Sequence, residues 1–189
     1  MNHIVNEIKL NLILFFLLAI GFPFVVWLFS LAMPENAAGR PVLRNGTTLG
    51  FENIGQKFTD DKYFWGRPSA TGYNASASGG SNKPVADSLY LSVVNQRLKE
   101  FLKRNPGITK DEVPSDLITA SGSGIDPDIS VQSAIIQIKR IAKARNLPEE
   151  VVMKIVVENI KQPFLGVFGT PCVNVLKLNL ALDETAGGK

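Results

Sequence analysis

The residue types that most often carry out catalysis are scarce in this chain of 189 residues. It contains one cysteine, Cys172, and one histidine, His3. A catalytic thiol needs a base such as histidine, but an uncharged apolar stretch at residues 10–33 separates the two. A cysteine–histidine pair, a Ser-His-Asp triad and a zinc site are therefore excluded from the residues after this stretch. We predict no catalytic residue and no metal site.

The sequence also lacks the common signatures of nucleotide and nucleic-acid binding. Neither GxxxxGK[ST] nor GxGxxG occurs in it. Its net charge is +3, from 20 basic and 17 acidic residues, without the concentrated basic face that a nucleic-acid partner needs. Acidic pairs such as Asp60 with Asp61 and Glu149 with Glu150 adjoin predicted turns or helix starts, where they act as solvated or capping charges. This profile is typical of a subunit or binding module rather than a self-sufficient enzyme.

One stretch carries the side chains of a partner interface. Tyr, Trp and Arg are the usual anchors of such interfaces, and several occur just before or within a loop of small residues at 66–82. The alternative is a core strand that runs into a surface loop, and the sequence leaves both possibilities open. The interface candidates here are Tyr63, Phe64, Trp65, Arg67, Tyr73 and Asn74.

A second stretch, at residues 116–127, places small residues before a predicted helix. Such a turn can present backbone N–H groups to an anion. Asp126 puts a negative charge at the same place, so the pattern favours a capped turn, with Asp126 as the N-cap. We include Ser121, Ser123 and Asp126 among the partner-interface candidates.

The apolar stretch at residues 10–33 predicts a transmembrane helix. At about 1.5 Å per residue it reaches roughly 36 Å, against roughly 30 Å of hydrocarbon. Gly21 and Pro23 predict a kink within it. The alternative is a cleaved signal peptide, whose apolar region is usually shorter. We expect a short tail at residues 1–9, the transmembrane helix at 10–33, a linker at 34–48 and an α+β soluble domain at 49–189.

Apolar spacing predicts mixed elements in the soluble domain. We expect an α+β fold, because helices and strands mix without a regular βαβ repeat. The expected strands lie within 51–65, at 116–120 and at 173–182. The expected helices run over 87–104, from Asp126 to about Arg145 and onward from Pro148.

Several motifs in order resemble one known family. They are Phe-Trp-Gly-Arg-Pro-Ser at 64–69, Ser-Gly-Gly-Ser-Asn at 78–82, Thr-Ala-Ser-Gly-Ser-Gly-Ile-Asp-Pro at 119–127 and the leucine-rich run at 174–182. With the single N-terminal span, they resemble the C subunit of the Kdp-type potassium-transporting P-type ATPase. The resemblance covers nearly the whole chain. Asp128, Thr170 and Cys172 depart from the family pattern, which affects local contacts rather than membership.

The resemblance implies an accessory subunit that is not an enzyme on its own. Its partners would be a potassium-channel-like subunit, a P-type ATPase subunit and the lipid bilayer of the cell inner membrane, which it would cross once. It would act as a catalytic chaperone that raises the ATP affinity of the ATPase subunit. ATP and potassium would belong to the assembled complex, with no cofactor bound by this chain. Gln137 matches a glutamine linked to nucleotide in the family, although from the residues alone it is a polar, solvated side chain on a helix.

The sequence leaves two other interpretations open. One is a membrane-anchored extracytoplasmic binding or assembly module unrelated to potassium. The other is an exported hydrolase whose signal peptide has been removed.

The charges around the span do not determine its orientation. Lys9 precedes it, whereas Arg40, Arg44 and Lys57 follow it, so the positive-inside rule does not place the N-terminus inside. The polar loops and the family resemblance favour an inside N-terminus and an extracytoplasmic soluble domain. We predict that orientation.

Overall fold

A computed structural model of the chain describes residues 2–33, 39–44 and 46–186. These residues divide into two compact units, Met1–Pro41 and Val42–Lys189.

The first unit is an apolar helix with one irregular turn. It comprises helix Asn2–Phe16, a π-helical turn Leu17–Gly21 and helix Phe22–Leu31. The helix therefore begins at Asn2, whereas we expected a tail up to residue 9. In the π turn the Phe22 N–H bonds to the Leu17 carbonyl, a local adjustment next to Pro23, which has no N–H of its own. From His3 to Leu31 the helix is long and apolar enough to cross a membrane.

The strands Pro41–Arg44 and Thr47–Phe51 form a two-stranded sheet, and all of their residues except Pro41 belong to the second unit. These strands fall largely within the residues that we expected to be a linker. The strands expected over 51–65 are wrong beyond Phe51, because the chain there forms turns and irregular backbone. The loop expected at 66–82 is confirmed, and it contains one short 3₁₀ turn, Ala75–Ala77.

Helix Ser88–Arg104 confirms the helix expected over 87–104. Asp87 caps it, since its carboxylate accepts hydrogen bonds from the N–H groups of Leu89 and Tyr90 at 2.8 and 3.1 Å. Only the second half of the helix packs inward, where Leu98 and Phe101 are buried. In its first turn the apolar side chain of Leu89 is 74% exposed.

A three-stranded antiparallel sheet follows, with Cys172–Asn174 between Asp128–Ser130 and Ile160–Lys161. The register pairs Ile129 with Val173, and Ile160 also faces Val173. Two expectations near this sheet are wrong. The strand expected at 116–120 is a 3₁₀ turn, Ser115–Leu117, and Asp126 does not cap a helix because the strand Asp128–Ser130 intervenes.

Four helices complete the described part of the second unit. The helix expected up to Arg145 is interrupted, giving Val131–Ile135, capped by Ser130, and Ile138–Arg145. Pro148 precedes the next helix, Glu149–Glu158, as expected. The last helix is Val175–Ala186.

The helix Val175–Ala186 corrects the strand expected at 173–182. Only Cys172–Asn174 is strand. The alternating leucines suggested a period of two. The run also buries Val175 and Asn179, however, and with Leu176, Leu178 and Leu182 these residues form one face of a helix. Asn174 starts the helix by accepting a hydrogen bond from the Lys177 N–H at 3.1 Å.

The second unit has two hydrophobic clusters. The larger one lies between the three-stranded sheet and the helices after it, and it includes Phe64, Ile141, Val156 and Leu178. The smaller one lies against helix Ser88–Arg104 and includes Leu98, Phe101 and Leu117. The expected fold class, an α+β domain with one N-terminal apolar helix, is confirmed.

Candidate functional site

Residues 63–65 run between the two hydrophobic clusters. Phe64 is fully buried in the larger cluster, whereas Trp65 packs against the smaller one. The Trp65 ring meets Phe101 edge to face, with ring centroids 6.2 Å apart. Neighbouring side chains of extended backbone point to opposite sides, so this segment joins the two halves of the core.

Side-chain amides, rather than a neighbouring strand, pair with the backbone of this segment. The Phe64 N–H donates to Asn179 Oδ1 at 2.8 Å, and Asn179 Nδ2 donates to the Phe64 carbonyl at 3.0 Å. The Trp65 N–H donates to Gln137 Oε1 at 2.9 Å, and Gln137 Nε2 donates to the Trp65 carbonyl at 3.3 Å. Buried backbone groups must find partners, and here the helix Val175–Ala186 and the turn before helix Ile138–Arg145 supply them.

Gln137 is fully buried at the centre of this arrangement. Besides its two bonds to Trp65, its Nε2 donates to the Ser133 carbonyl at 2.9 Å, and its Oε1 accepts from Arg140 Nη2 at 2.7 Å. Both ends of the amide are therefore occupied inside the domain. In this fold a ligand could bond to Gln137 only after displacing one of these partners.

Arg140 links residues 63–65 to Asn105 and Asp61. The residue is only 7% exposed. Its guanidinium donates to Asn105 Oδ1 at 3.0 Å, to the Tyr63 carbonyl at 3.0 Å and to the Asp61 carbonyl. It also lies 4.1 Å from the centroid of the Trp65 ring, a cation–π contact. Burial lowers the pKa of Arg140 to about 10, which leaves it charged at neutral pH.

Tyr63 is held by groups from two helices. Its hydroxyl donates to Asp183 Oδ2 at 3.1 Å, and the Arg145 guanidinium lies 4.9 Å from its ring centroid. Arg145 and Asp183 form an ion pair at 2.7 Å. Burial and the Asp183 carboxylate raise the pKa of Tyr63, so the hydroxyl stays protonated and serves as a donor.

The loop at residues 66–82 lies against residues 121–126, which are the later part of the second motif stretch. We call these two segments the paired loops. Five hydrogen bonds join them through backbone atoms. Three of them are Ser69 Oγ to the Gly124 carbonyl at 2.6 Å, Thr71 Oγ1 to the same carbonyl at 3.5 Å and the Gly79 N–H to the Ser123 carbonyl at 2.8 Å. The other two are the Ser121 N–H to the Pro68 carbonyl and Ser78 Oγ to the Ser123 carbonyl, at 3.0 and 2.9 Å. No local pattern in the sequence indicated that the two stretches meet.

An ion pair between Arg67 and Asp126 closes one side of the paired loops. Arg67 Nη1 lies 2.9 Å from Asp126 Oδ2, and each side chain is 27% exposed. The Tyr73 hydroxyl donates to the Arg67 carbonyl, and burial raises its pKa, with Asp126 adding to the shift. Among the described residues, Arg67 Nε is buried without a hydrogen-bond partner. A cavity of about 430 Å³ borders Arg67 and Tyr73.

Gly124 permits the close approach of the paired loops. Its φ is +70°, and a Cβ there would lie 2.5 Å from Thr71 Oγ1 and 2.6 Å from the Gly79 carbonyl oxygen. No larger residue fits without moving one loop. The adjacent turn is closed by Ser121, whose Oγ accepts a hydrogen bond from the Gly124 N–H at 3.0 Å.

The interface candidates therefore divide into two groups. Phe64 and Ser121 are buried, and Tyr63, Trp65, Arg67, Tyr73 and Asp126 are partly buried and engaged within the domain. Asn74 and Ser123 are exposed on the paired loops. Sequence reasoning missed the buried partners Arg140, Asn179 and Asn105. For Arg140 and Asn179, a polar residue within an apolar helix face was the available signal.

The comparison with known proteins agrees with this arrangement of motifs. A family model described as the c chain of the K⁺-transporting ATPase, KdpC, matches residues 4–184. The chain belongs to the KdpC family.

Curated KdpC subunits support the assignment along nearly the full length. The chain is 47% identical over 184 residues to the potassium-transporting ATPase KdpC subunit of Caldanaerobacter subterraneus, covering 97% of this chain and 95% of that protein. It is 43% identical to the KdpC subunit of Phocaeicola vulgatus, covering 97% and 99%. It is 45% identical to that of Variovorax paradoxus, with the same coverage.

Two of the positions that we expected to depart from the family pattern lie on neighbouring strands of the sheet. Asp128 and Cys172 sit on the neighbouring strands Asp128–Ser130 and Cys172–Asn174. Burial raises the pKa of the Cys172 thiol, and the Asp128 carboxylate raises it further. The thiol is therefore protonated and weakly nucleophilic at neutral pH.

Proposed function

We propose that this chain is a non-catalytic subunit of a high-affinity, ATP-driven potassium uptake system. It supports assembly of a channel-like subunit with a P-type ATPase subunit. The family assignment supports this proposal, since the relatives are named as KdpC subunits of a potassium-transporting ATPase.

The main structural support for this proposal is that the paired loops are held in one fixed conformation. Loops of this composition are usually mobile, but here backbone hydrogen bonds, an ion pair and Gly124 hold them in one arrangement. A contact surface that is ordered in advance loses little conformational entropy on binding. Its exposed polar residues are Asn74, Ser76, Ser78, Asn82 and Ser123.

We assign this surface to the channel-like subunit. The apolar helix crosses the inner membrane once with its N-terminus inside, and the soluble domain lies on the extracytoplasmic side. From there the paired loops contact the outer face of the channel-like subunit.

The proposed chaperone effect on ATP affinity then acts through assembly. ATP binds on the cytoplasmic side of a P-type ATPase, which an extracytoplasmic domain does not reach. The burial of Gln137 supports this indirect route, because its amide is fully used in holding Trp65 and Arg140. A substitution at Gln137 would alter ATP affinity by disturbing residues 63–65 and the paired loops.

Affinity purification of the tagged, full-length chain tests the function. Cells starved of potassium are solubilised in mild detergent, and the proteins that copurify are identified by mass spectrometry. We expect the channel-like subunit and the P-type ATPase subunit in the eluate. Isolation of the chain without a P-type ATPase would contradict the proposal and favour a membrane-anchored module unrelated to potassium.

A further inference from the structure

A short hairpin outside the paired loops carries the most exposed apolar cluster of the second unit. It lies between the strands Ile160–Lys161 and Cys172–Asn174. Four large apolar side chains project from its tip: Phe164, Leu165, Val167 and Phe168 are 71, 76, 77 and 65% exposed. We call these residues, with Gly166, the apolar tip. A contiguous exposed apolar cluster marks a contact with a partner or a membrane.

The apolar tip has a defined, internally bonded backbone. The N–H of Phe164 donates to the carbonyl of Phe168, and the N–H of Phe168 donates to the carbonyl of Phe164, both at 2.9 Å. Within the turn, the N–H groups of Gly166 and Val167 donate to the carbonyls of Pro163 and Phe164 at 3.0 and 3.2 Å. The two phenylalanine rings also pack together, with centroids 6.4 Å apart.

We propose that the apolar tip inserts into the interfacial region of a lipid bilayer. Hydrocarbon offers no hydrogen bonds, so a segment can enter it cheaply only if its backbone groups are bonded internally. The tip meets this condition at four N–H groups. A protein interface usually adds direct hydrogen bonds over its area, and the tip offers mainly apolar side chains for such contacts.

Charge and chain length both favour the bilayer in which the chain's own helix lies. Lys161, at the base of the hairpin, is exposed and suits anionic headgroups. Residues 32–41, between the apolar helix and the second unit, reach at most about 35 Å when fully extended. The domain is thus tethered close to the membrane surface, which raises the effective concentration of the tip there. This proposal rests on the apolar helix crossing the membrane and not on assembly with other subunits.

Spin labelling of the full-length chain in lipid vesicles tests the insertion. Cys172→Ser removes the native thiol, and Val167→Cys places a nitroxide at the tip. Val85→Cys is the matched control, since Val85 is the same residue type and is 83% exposed. Vesicles of phosphatidylcholine and phosphatidylglycerol contain this chain as the sole protein, and collision rates are measured with oxygen, which concentrates in lipid, and with a water-soluble nickel chelate.

We expect the ratio of oxygen to nickel collisions to be several-fold higher at position 167 than at position 85. Equal ratios would place the tip in water and overturn the proposal. A label at 167 that is shielded from both reagents would indicate contact with a second copy of the chain and would also overturn it. Because no pump subunit is present, either failure leaves the proposed assembly function untouched.

Discussion

Replacing Arg140 with methionine is expected to destabilise the second unit by about 3–5 kcal/mol, since it leaves several buried polar groups without partners. The substitution removes hydrogen bonds to Asn105, to the Tyr63 carbonyl and to Gln137, together with the cation–π contact with Trp65. Methionine retains much of the packing volume, so the loss reports mainly on the polar contacts.

Urea unfolding of the full-length chain in detergent measures this effect. The chain has two tryptophans. In a Trp27→Phe background the tryptophan fluorescence comes from Trp65 alone, which Arg140 contacts. The matched control is Lys143→Met on the same helix, where the side chain is exposed and the expected change is within about 0.5 kcal/mol. Similar stabilities for the two variants would contradict the role assigned to Arg140.

Gly124→Ala is expected to separate the paired loops and sharply reduce recovery of the partner subunits. The left-handed backbone alone costs an alanine roughly 1–2 kcal/mol, and the new Cβ would lie 2.6 Å from a backbone oxygen of Gly79. Since that oxygen belongs to the main chain, the clash is relieved only by moving a loop.

Gly122→Ala is the matched control in the same turn. Among the described residues, nothing lies within 4 Å of a Cβ placed there. Both variants are purified from membranes and compared for the copurifying subunits, with Trp65 fluorescence confirming that each remains folded. Equal recovery from the two variants would show that the paired loops do not contribute to assembly.

Local signals in the sequence identified several elements correctly. Asp87 before an apolar periodic run, and Pro148 before two glutamates, each mark a helix start through backbone chemistry that acts within one turn. The alternation of leucines at 176–182 led to the wrong prediction of a strand. Leu178 and Leu182 also fit a helical face with Val175 and Asn179. Burial, rather than the local pattern, decides between the two periods there.

The candidate site was harder to predict because its contacts are distant in sequence. Trp65 and Gln137 are 72 positions apart, and Phe64 and Asn179 are 115 apart. The interface candidates within 63–74 and 121–126 stay predictions, and the sequence did not show that the two loops pair. The interpretation of Gln137 as a solvated side chain on a helix is wrong. It is fully buried between two helices, because the tertiary fold brings Trp65 and Arg140 to its amide.

Labelling from outside the cell tests most directly whether the soluble domain is extracytoplasmic, as contact with the outer face of the pump requires. If the paired loops contact the outer face of the pump, a cysteine at Ser78, which is exposed on those loops, must be reachable from outside the cell. Ser78→Cys is introduced in a Cys172→Ser background, and intact cells are treated with a membrane-impermeant maleimide. Asn6→Cys, near the start of the apolar helix, is the control for the opposite side.

We predict that Ser78→Cys is labelled in intact cells and that Asn6→Cys is labelled only after lysis. Labelling of Ser78→Cys only after lysis would place the soluble domain in the cytoplasm. That result would contradict contact with the outer face of the channel-like subunit and would restore a direct route from this domain to ATP.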